Sequence, residues 1–112
     1  MPLSSIKKYS SIIQTILQYY AQFSKDKDIA TELIFETIRH HYQIVNVGWK
    51  NDNWIYGCIL HLDIKNNKIW IQHNGTEIEI GEELVKNGVP KSDIVIGFHP
   101  PFKRQFTEYS VN

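Results

Sequence analysis

Residues 59–75 read ILHLDIKNNKIWIQHNG. Apolar and polar residues alternate on both sides of Asn66-Asn67, the period-2 pattern of strands with one buried face. Asparagine tolerates positive φ, so Asn66-Asn67 suit a two-residue hairpin turn. That turn pairs Lys65 with Lys68, Asp63 with Trp70 and His61 with Gln72. Leu60, Leu62, Ile64, Ile69 and Ile71 then share one face, which is core. The other face collects Ile59, His61, Asp63, Lys65, Lys68, Trp70 and Gln72.

This second face is polar yet carries a tryptophan, and three readings are open. It is a solvated sheet face on which Trp70 supports Asp63 across strands. Or it is a patch shared with a partner, since a tryptophan among polar groups on a flat sheet is typical of interfaces. Or it holds a metal or an acid–base pair, with His99 or His73 joining His61 and Asp63. The spacing is none of the strong metal signatures.

Working outward, residues 6–20 place Ile6, Tyr9, Ile12, Ile13, Ile16, Leu17 and Tyr20 at steps of three and four. That is an amphipathic helix to about Gln22, with Ser4-Ser5 as its expected cap. A strand is expected through Leu33, Ile34 and Phe35, then a turn near Arg39-His40. His40-His41 read there as incidental turn histidines. A second strand covers Tyr42–Trp49 and a third Trp54–Ile64, long enough to need a bulge near Gly57. Lys68–His73 is the fourth. A short helix spans Glu82–Lys86, stopped by Asn87-Gly88 and Pro90. The acids Glu77, Glu79, Glu82 and Glu83 suit its N-terminal end. DIVIGF, 93–98, is an apolar buried strand. The segment HPPFKRQFTEYSVN from His99 is expected to be an extended tail because of its prolines. The fold class is α+β: an N-terminal helix, an antiparallel four-strand meander, a short helix, a further strand and the tail.

The 112 residues suit a single domain over 1–112. Such a chain buries roughly two-thirds of its unfolded surface, enough for one core. Twelve basic and twelve acidic residues cancel, which weighs against free-standing DNA binding, since phosphate contacts need a basic face. Lys103-Arg104 is the one basic doublet with aromatics on both sides, Phe102 and Phe106; it suits a strand of nucleic acid or a tail docked on another surface. Cys58 is the only cysteine, so an intramolecular disulfide and a thiolate zinc cluster are excluded. It reads as a small buried hydrophobe. No secretory leader pattern and no apolar run of about 18 residues is present, and a cytoplasmic location is expected. Phosphate loops, nucleophile elbows and paired catalytic carboxylates are absent from the sequence.

Several stretches together resemble one family. They are Val47-Gly48-Trp49, His61-x-Asp63-Ile64, Lys68-Ile69-Trp70-Ile71-Gln72, Gly75-Thr76-Glu77, Gly88-Val89-Pro90, Gly97-Phe98-His99-x-Pro101, Arg104 and Thr107-Glu108-Tyr109. In this order they resemble the XisI family, the fdxN element excision controlling factors of cyanobacteria. The likeness covers nearly the whole chain and is strongest from Tyr42 to Tyr109. The turn Asn66-Asn67 and the longer acid at Glu36 are mild departures from the family pattern.

The resemblance implies a controlling factor for excision of a DNA element during heterocyst differentiation, and not the strand-cutting enzyme. It implies work beside a site-specific recombinase and a companion protein, XisH. No catalytic motif comes with it, and no cofactor or metal ligand is assigned. Trp49, His61, Asp63, Trp70, Gln72, Thr76, Glu77, His99 and Arg104 are carried as candidate partner-binding positions. A homodimer is expected, with a XisH-like protein and a recombinase as further partners. The alternatives are a directionality factor that binds DNA directly, and an unrecognised enzyme using His61, Asp63 and His99.

Overall fold

The computed structural model describes residues 3–112, with side chains from Ser5 onward. Helix α1 spans Leu3–Ala21. Strands β1 (Ile29–Glu36), β2 (His41–Lys50), β3 (Asn53–Lys65) and β4 (Lys68–Asn74) follow as a meander. Helix α2 (Ile80–Lys86) then leads to a short β5 (Ile94–Ile96), and a single helical turn, α3 (Pro101–Arg104), precedes the last residues. The five strands lie in the order β1-β2-β3-β4-β5. The first four pair antiparallel, and β5 joins β4 in parallel. The fold is α+β, as expected, with one parallel strand on an otherwise antiparallel sheet. The parallel pairing follows from α2, which carries the chain back across the sheet between β4 and β5.

The expected serine cap is corrected. The helix already begins at Leu3, so Ser5 falls inside its first turn, and the Ser4 side chain lies outside the described residues. The apolar stripe behaves as read. Tyr9, Ile13, Ile16 and Leu17 are buried against Tyr42, Ile44, Leu60, Leu62, Ile64, Ile69 and Ile71 of the sheet. Ile80, Leu84, Val89, Ile94 and Ile96 close the same core. Each such side chain contributes about 1.5–3 kcal/mol on burial.

Both two-residue turns have positive φ at both centres: Asn51 and Asp52, then Asn66 and Asn67. That geometry matches the right-handed twist of the flanking strands. The Asn66-Asn67 turn pairs Lys65 with Lys68 and Asp63 with Trp70, as the alternation required. One expected pair is wrong. The register between β3 and β4 shifts after Leu62, so His61 faces His73 and Gln72 is the extra residue. A second shift sets Ile44 opposite Leu60 but Val45 opposite Cys58, leaving Ile59 as the bulge on β3. The bulge is therefore at Ile59, two residues past Gly57. It turns Ile59 toward the core, against which it packs, and off the polar face.

Gly48 is needed where β2 passes the start of β1. A Cβ there would sit 2.4 Å from the Asp28 carbonyl oxygen, a backbone atom that cannot swing away.

The tail is not extended, which corrects the reading of its prolines. Pro100 is extended, but Pro101 opens α3, where its fixed φ is preorganised for a helix. The chain then returns to the sheet. The Ser110 N–H donates to the Ile94 carbonyl at 2.8 Å, and Ser110 bridges Val95 in parallel. Lys68 Nζ donates to Ser110 Oγ (2.7 Å) and to the Asn112 carbonyl (2.6 Å). Arg104 donates to the carbonyls of Ile96, His99, Gly97 and Val111 at 3.1–3.4 Å. The tail thus docks on its own sheet edge, and the Arg104 guanidinium is engaged within the chain.

Two outcomes follow from these contacts. Arg104→Ala removes a side-chain donor from four carbonyls, of which Ile96 keeps the His99 N–H, and should cost about 1.5–3 kcal/mol. Lysine should restore little of this, because it lacks the planar fork. Denaturant unfolding, with amide exchange at Ser110, reads both; an unchanged midpoint and a protected Ser110 amide would contradict the clamp.

The second outcome concerns pH. Tyr9 is buried and its hydroxyl donates to the Asp93 carboxylate. Burial first, then the bond to Asp93 and its charge, pushes the hydroxyl from 10.0 up to about 12. A raised tyrosine gives stability that is whole below its unfolded value and is lost as pH rises through the folded one. The window is therefore about pH 10 to 12. Tyr9→Phe should remove on the order of 2 kcal/mol of that alkaline loss. Unfolding free energies of the two proteins across that window test it; parallel curves would show that Tyr9 contributes nothing there.

Candidate functional site

Strand periodicity places His61 and Asp63 on one face of β3. Strand pairing sets His41, the first residue of β2, directly opposite Asp63. The three heads therefore converge. His41 Nδ1 lies 2.8 Å and His61 Nε2 2.7 Å from the same Asp63 oxygen, Oδ1. The other oxygen, Oδ2, accepts from Gln72 Nε2 at 3.2 Å. Gln72 shares this face by alternation with Trp70, and the β4 bulge leaves it without a partner on β3. The imidazoles stand nearly perpendicular, at 77°, with centres 6.4 Å apart.

The Asp63 side chain is 13% exposed, His61 29% and His41 51%. The carboxylate is thus the floor of the cluster and the histidines its rim. Burial alone would push the Asp63 carboxyl up. The hydrogen bonds from His41, His61 and Gln72, with the charge of His61, outweigh it and hold the group below its usual range.

Gly97 supports this arrangement from β5's end. Its N–H donates to the Ile71 carbonyl at 2.8 Å. A Cβ on it would come 2.3 Å from Gln72 Oε1. Only a residue without a side chain leaves Gln72 free to reach Asp63 here.

Trp70, across from Asp63, is 8% exposed. Its Nε1 donates to the Lys65 carbonyl at 3.1 Å. The Lys65 ammonium sits 4.3 Å from the ring centre and the Arg104 guanidinium 5.2 Å. Two cations stacked on one indole cover it. The hairpin face is therefore largely satisfied within the chain.

The remaining candidates lie elsewhere. Asn74 Oδ1 accepts from the Thr76 N–H (2.9 Å) and Oγ1 (2.6 Å), and Thr76 Oγ1 accepts from the Ile78 N–H (3.1 Å). Thr76 thus shapes the loop that leads into α2. Glu77 in that loop is exposed. His99 follows β5, edge-on to Phe98 at 4.9 Å, and its Nδ1 is buried without a hydrogen-bond partner among the described residues. His41 takes the place expected of His99 or His73 beside His61 and Asp63.

Trp49 is far from the cluster. It lies eight residue steps along β2 from His41, about 27 Å of strand. It pairs with Trp54, ring centres 5.3 Å apart. Trp49, Trp54 and Tyr56 are 62%, 54% and 71% exposed. Alternation puts all three on the same face. The sequence reading named Trp49 but not Trp54 or Tyr56.

His41 was missed because it was read as part of a turn. The signal was available: counting back from the polar turn at Asn51-Asp52 sets residues near His41 beside His61 and Asp63. The uncounted bulge at Ile59 hid which one. His40 has a different task, with Nδ1 2.8 Å from the Tyr42 hydroxyl. Cys58 donates its thiol to the Leu60 carbonyl at 3.1 Å. Burial pushes that thiol up, so it is a poor nucleophile. A polar groove of 470 Å³ runs between α1 and the β1–β2 turn, lined by residues that include Lys7, Gln14, Thr37 and His40; it includes no member of the histidine–aspartate cluster. No helix among the described residues is long and apolar enough to cross a membrane.

Comparison with known proteins agrees with this architecture. The family model described as "XisI protein" matches residues 3–111. A crystal structure of a XisI-like protein from Anabaena variabilis ATCC 29413 superposes with a TM-score of 0.91 at 46% identity, covering 96% of this chain and 99% of that one. The structure of fdxN element excision controlling factor XisI from the same organism gives a TM-score of 0.84 at 34% identity, with the same coverage. None of the curated proteins matches. Over essentially its full length, in sequence motifs and in fold, the chain belongs to the XisI family.

Proposed function

We propose that this protein is a non-enzymatic controlling factor of site-specific DNA excision that works through contacts with other proteins. Its first partner is a second copy of itself. A XisH-like companion and the recombinase follow. The family and the name of the relative at 34% identity support the general role.

The observation that carries the protein-contact reading is the exposed aromatic end of the sheet. Trp49, Trp54 and Tyr56 leave large aromatic side chains in water on one face of the β2–β3 hairpin. Tryptophan and tyrosine supply much of the binding energy at protein interfaces. No charged side chain stands among Trp49, Trp54 and Tyr56 on that face, so the patch is compatible with itself across a two-fold axis. DNA contact finds less support. Net charge is zero, and Arg104 of the Lys103-Arg104 doublet is spent on backbone carbonyls.

The test is mass in solution at high micromolar concentration. The protein should run as a dimer, and the double variant Trp49→Ala, Tyr56→Ala should run as a monomer with its fold retained. Co-purification with the XisH-like companion should succeed for the parent protein. A strictly monomeric parent that captures no companion, together with salt-sensitive binding to element-end DNA, would replace this reading by direct DNA binding.

A further inference from the structure

We propose that His41, His61 and Asp63 form a binding site for one divalent transition-metal cation, of which zinc is the representative. The ligand atoms of the three residues all lie within 4.8 Å of one another. Ligands at about 2.1 Å from a tetrahedral ion stand about 3.4 Å apart. The two histidine nitrogens are already 2.7 and 2.8 Å from Asp63 Oδ1. Small rotations of the side chains open room for an ion among them, without a change of backbone.

The chemistry of the set suits such a cation. Two imidazoles and one carboxylate favour zinc, iron(II), cobalt or nickel over magnesium or calcium, which prefer all-oxygen shells. The single negative charge of Asp63 offsets half of a dication's charge. The exposed histidine rim leaves the outward positions to water, the pattern of an open three-ligand site.

A second, independent observation points the same way. Metal-bound carboxylates are characteristically held by a further hydrogen bond that orients them. Gln72 does this for Asp63: it takes Oδ2 and leaves Oδ1 to the histidines. The missing side chain at Gly97 that lets Gln72 pass is a backbone feature spent on one carboxylate. A hydrogen-bonded aspartate on a solvated face needs no such support.

The occupied site ties the start of β2 to β3 beside the hairpin. It is independent of the aromatic end of the sheet, so it stands or falls apart from the dimer.

The experiment uses tag-free, chelator-treated protein. Calorimetric titration with zinc should show one ion per chain. Cobalt(II) should give a visible ligand-field band that zinc abolishes. His41→Ala, at an exposed position where folding is not at risk, should weaken zinc binding at least tenfold, the scale on which loss of even a supporting group is felt. His61→Ala should do the same, and Asp63→Asn should weaken binding. His73→Ala, which removes a histidine outside the cluster, should leave it unchanged. Absence of binding at millimolar zinc overturns the proposal. So does binding that survives both His41→Ala and His61→Ala, or that is lost in His73→Ala.

Discussion

Strand register is the constraint on which the rest of this structure depends. The side-chain period of a strand is two, so a slip of one residue would carry Leu60, Leu62 and Ile64 out of the core and His61 and Asp63 into it. Two short turns prevent the slip. Asn51-Asp52 and Asn66-Asn67 both hold the left-handed backbone, which these residue types adopt at less cost than most. Because both hairpins close on two residues, β3 is registered from both ends. The core face and the polar face are then settled together.

The bulges modify that register where the chemistry lies. Without the extra residue at Ile59, Gln43 would not stand opposite His61, nor His41 opposite Asp63. The one at Gln72 leaves that residue unpaired on the same face, where its amide meets Asp63 Oδ2. The bulge at Ile59 thus adds His41 to the side chains around the carboxylate. The sequence alone showed the alternation and both turns, and from them the helix, the meander and the core face of the hairpin. It called for a bulge near Gly57 without fixing it at Ile59, and it did not show the one at Gln72, because an extra residue changes pairing without leaving a mark in apolar periodicity. His41 was illegible for that reason, and for a second one: adjacent histidines beside a turn look incidental until a partner strand is placed.

The tail misled the reading for a different physical reason. Two prolines in a row exclude helix at the first, but the second can begin one. Pro100 and Pro101 do this. Nothing local reveals that Arg104 then turns inward to four carbonyls. That depends on the end of β5, the turn after it and the last residues having presented those carbonyls, a tertiary fact. The same contact explains why Trp70 is covered although it sits on the polar face. Lys65 comes from the hairpin and Arg104 from the tail, and the indole is the surface on which the two meet.

Core support is distributed unevenly along β2 and β3, and this divides the sheet into two kinds of surface. Where α1 lies over them, Tyr42, Ile44, Leu60 and Leu62 are fully buried, and the opposite face can hold groups to a fixed geometry. The Asp63 cluster is there. Toward Asn51-Asp52 the burial fades, and residues 53–56 are exposed. Rigid positioning of polar groups needs a packed layer behind it; a docking surface needs only shape and apolar area. The sheet supplies each requirement at a different end, about 27 Å apart along one strand. An ion held at His41, His61 and Asp63 and a partner seated on Trp49, Trp54 and Tyr56 would share no side chain. Any coupling between them would have to run through the ladder of β2 and β3 itself.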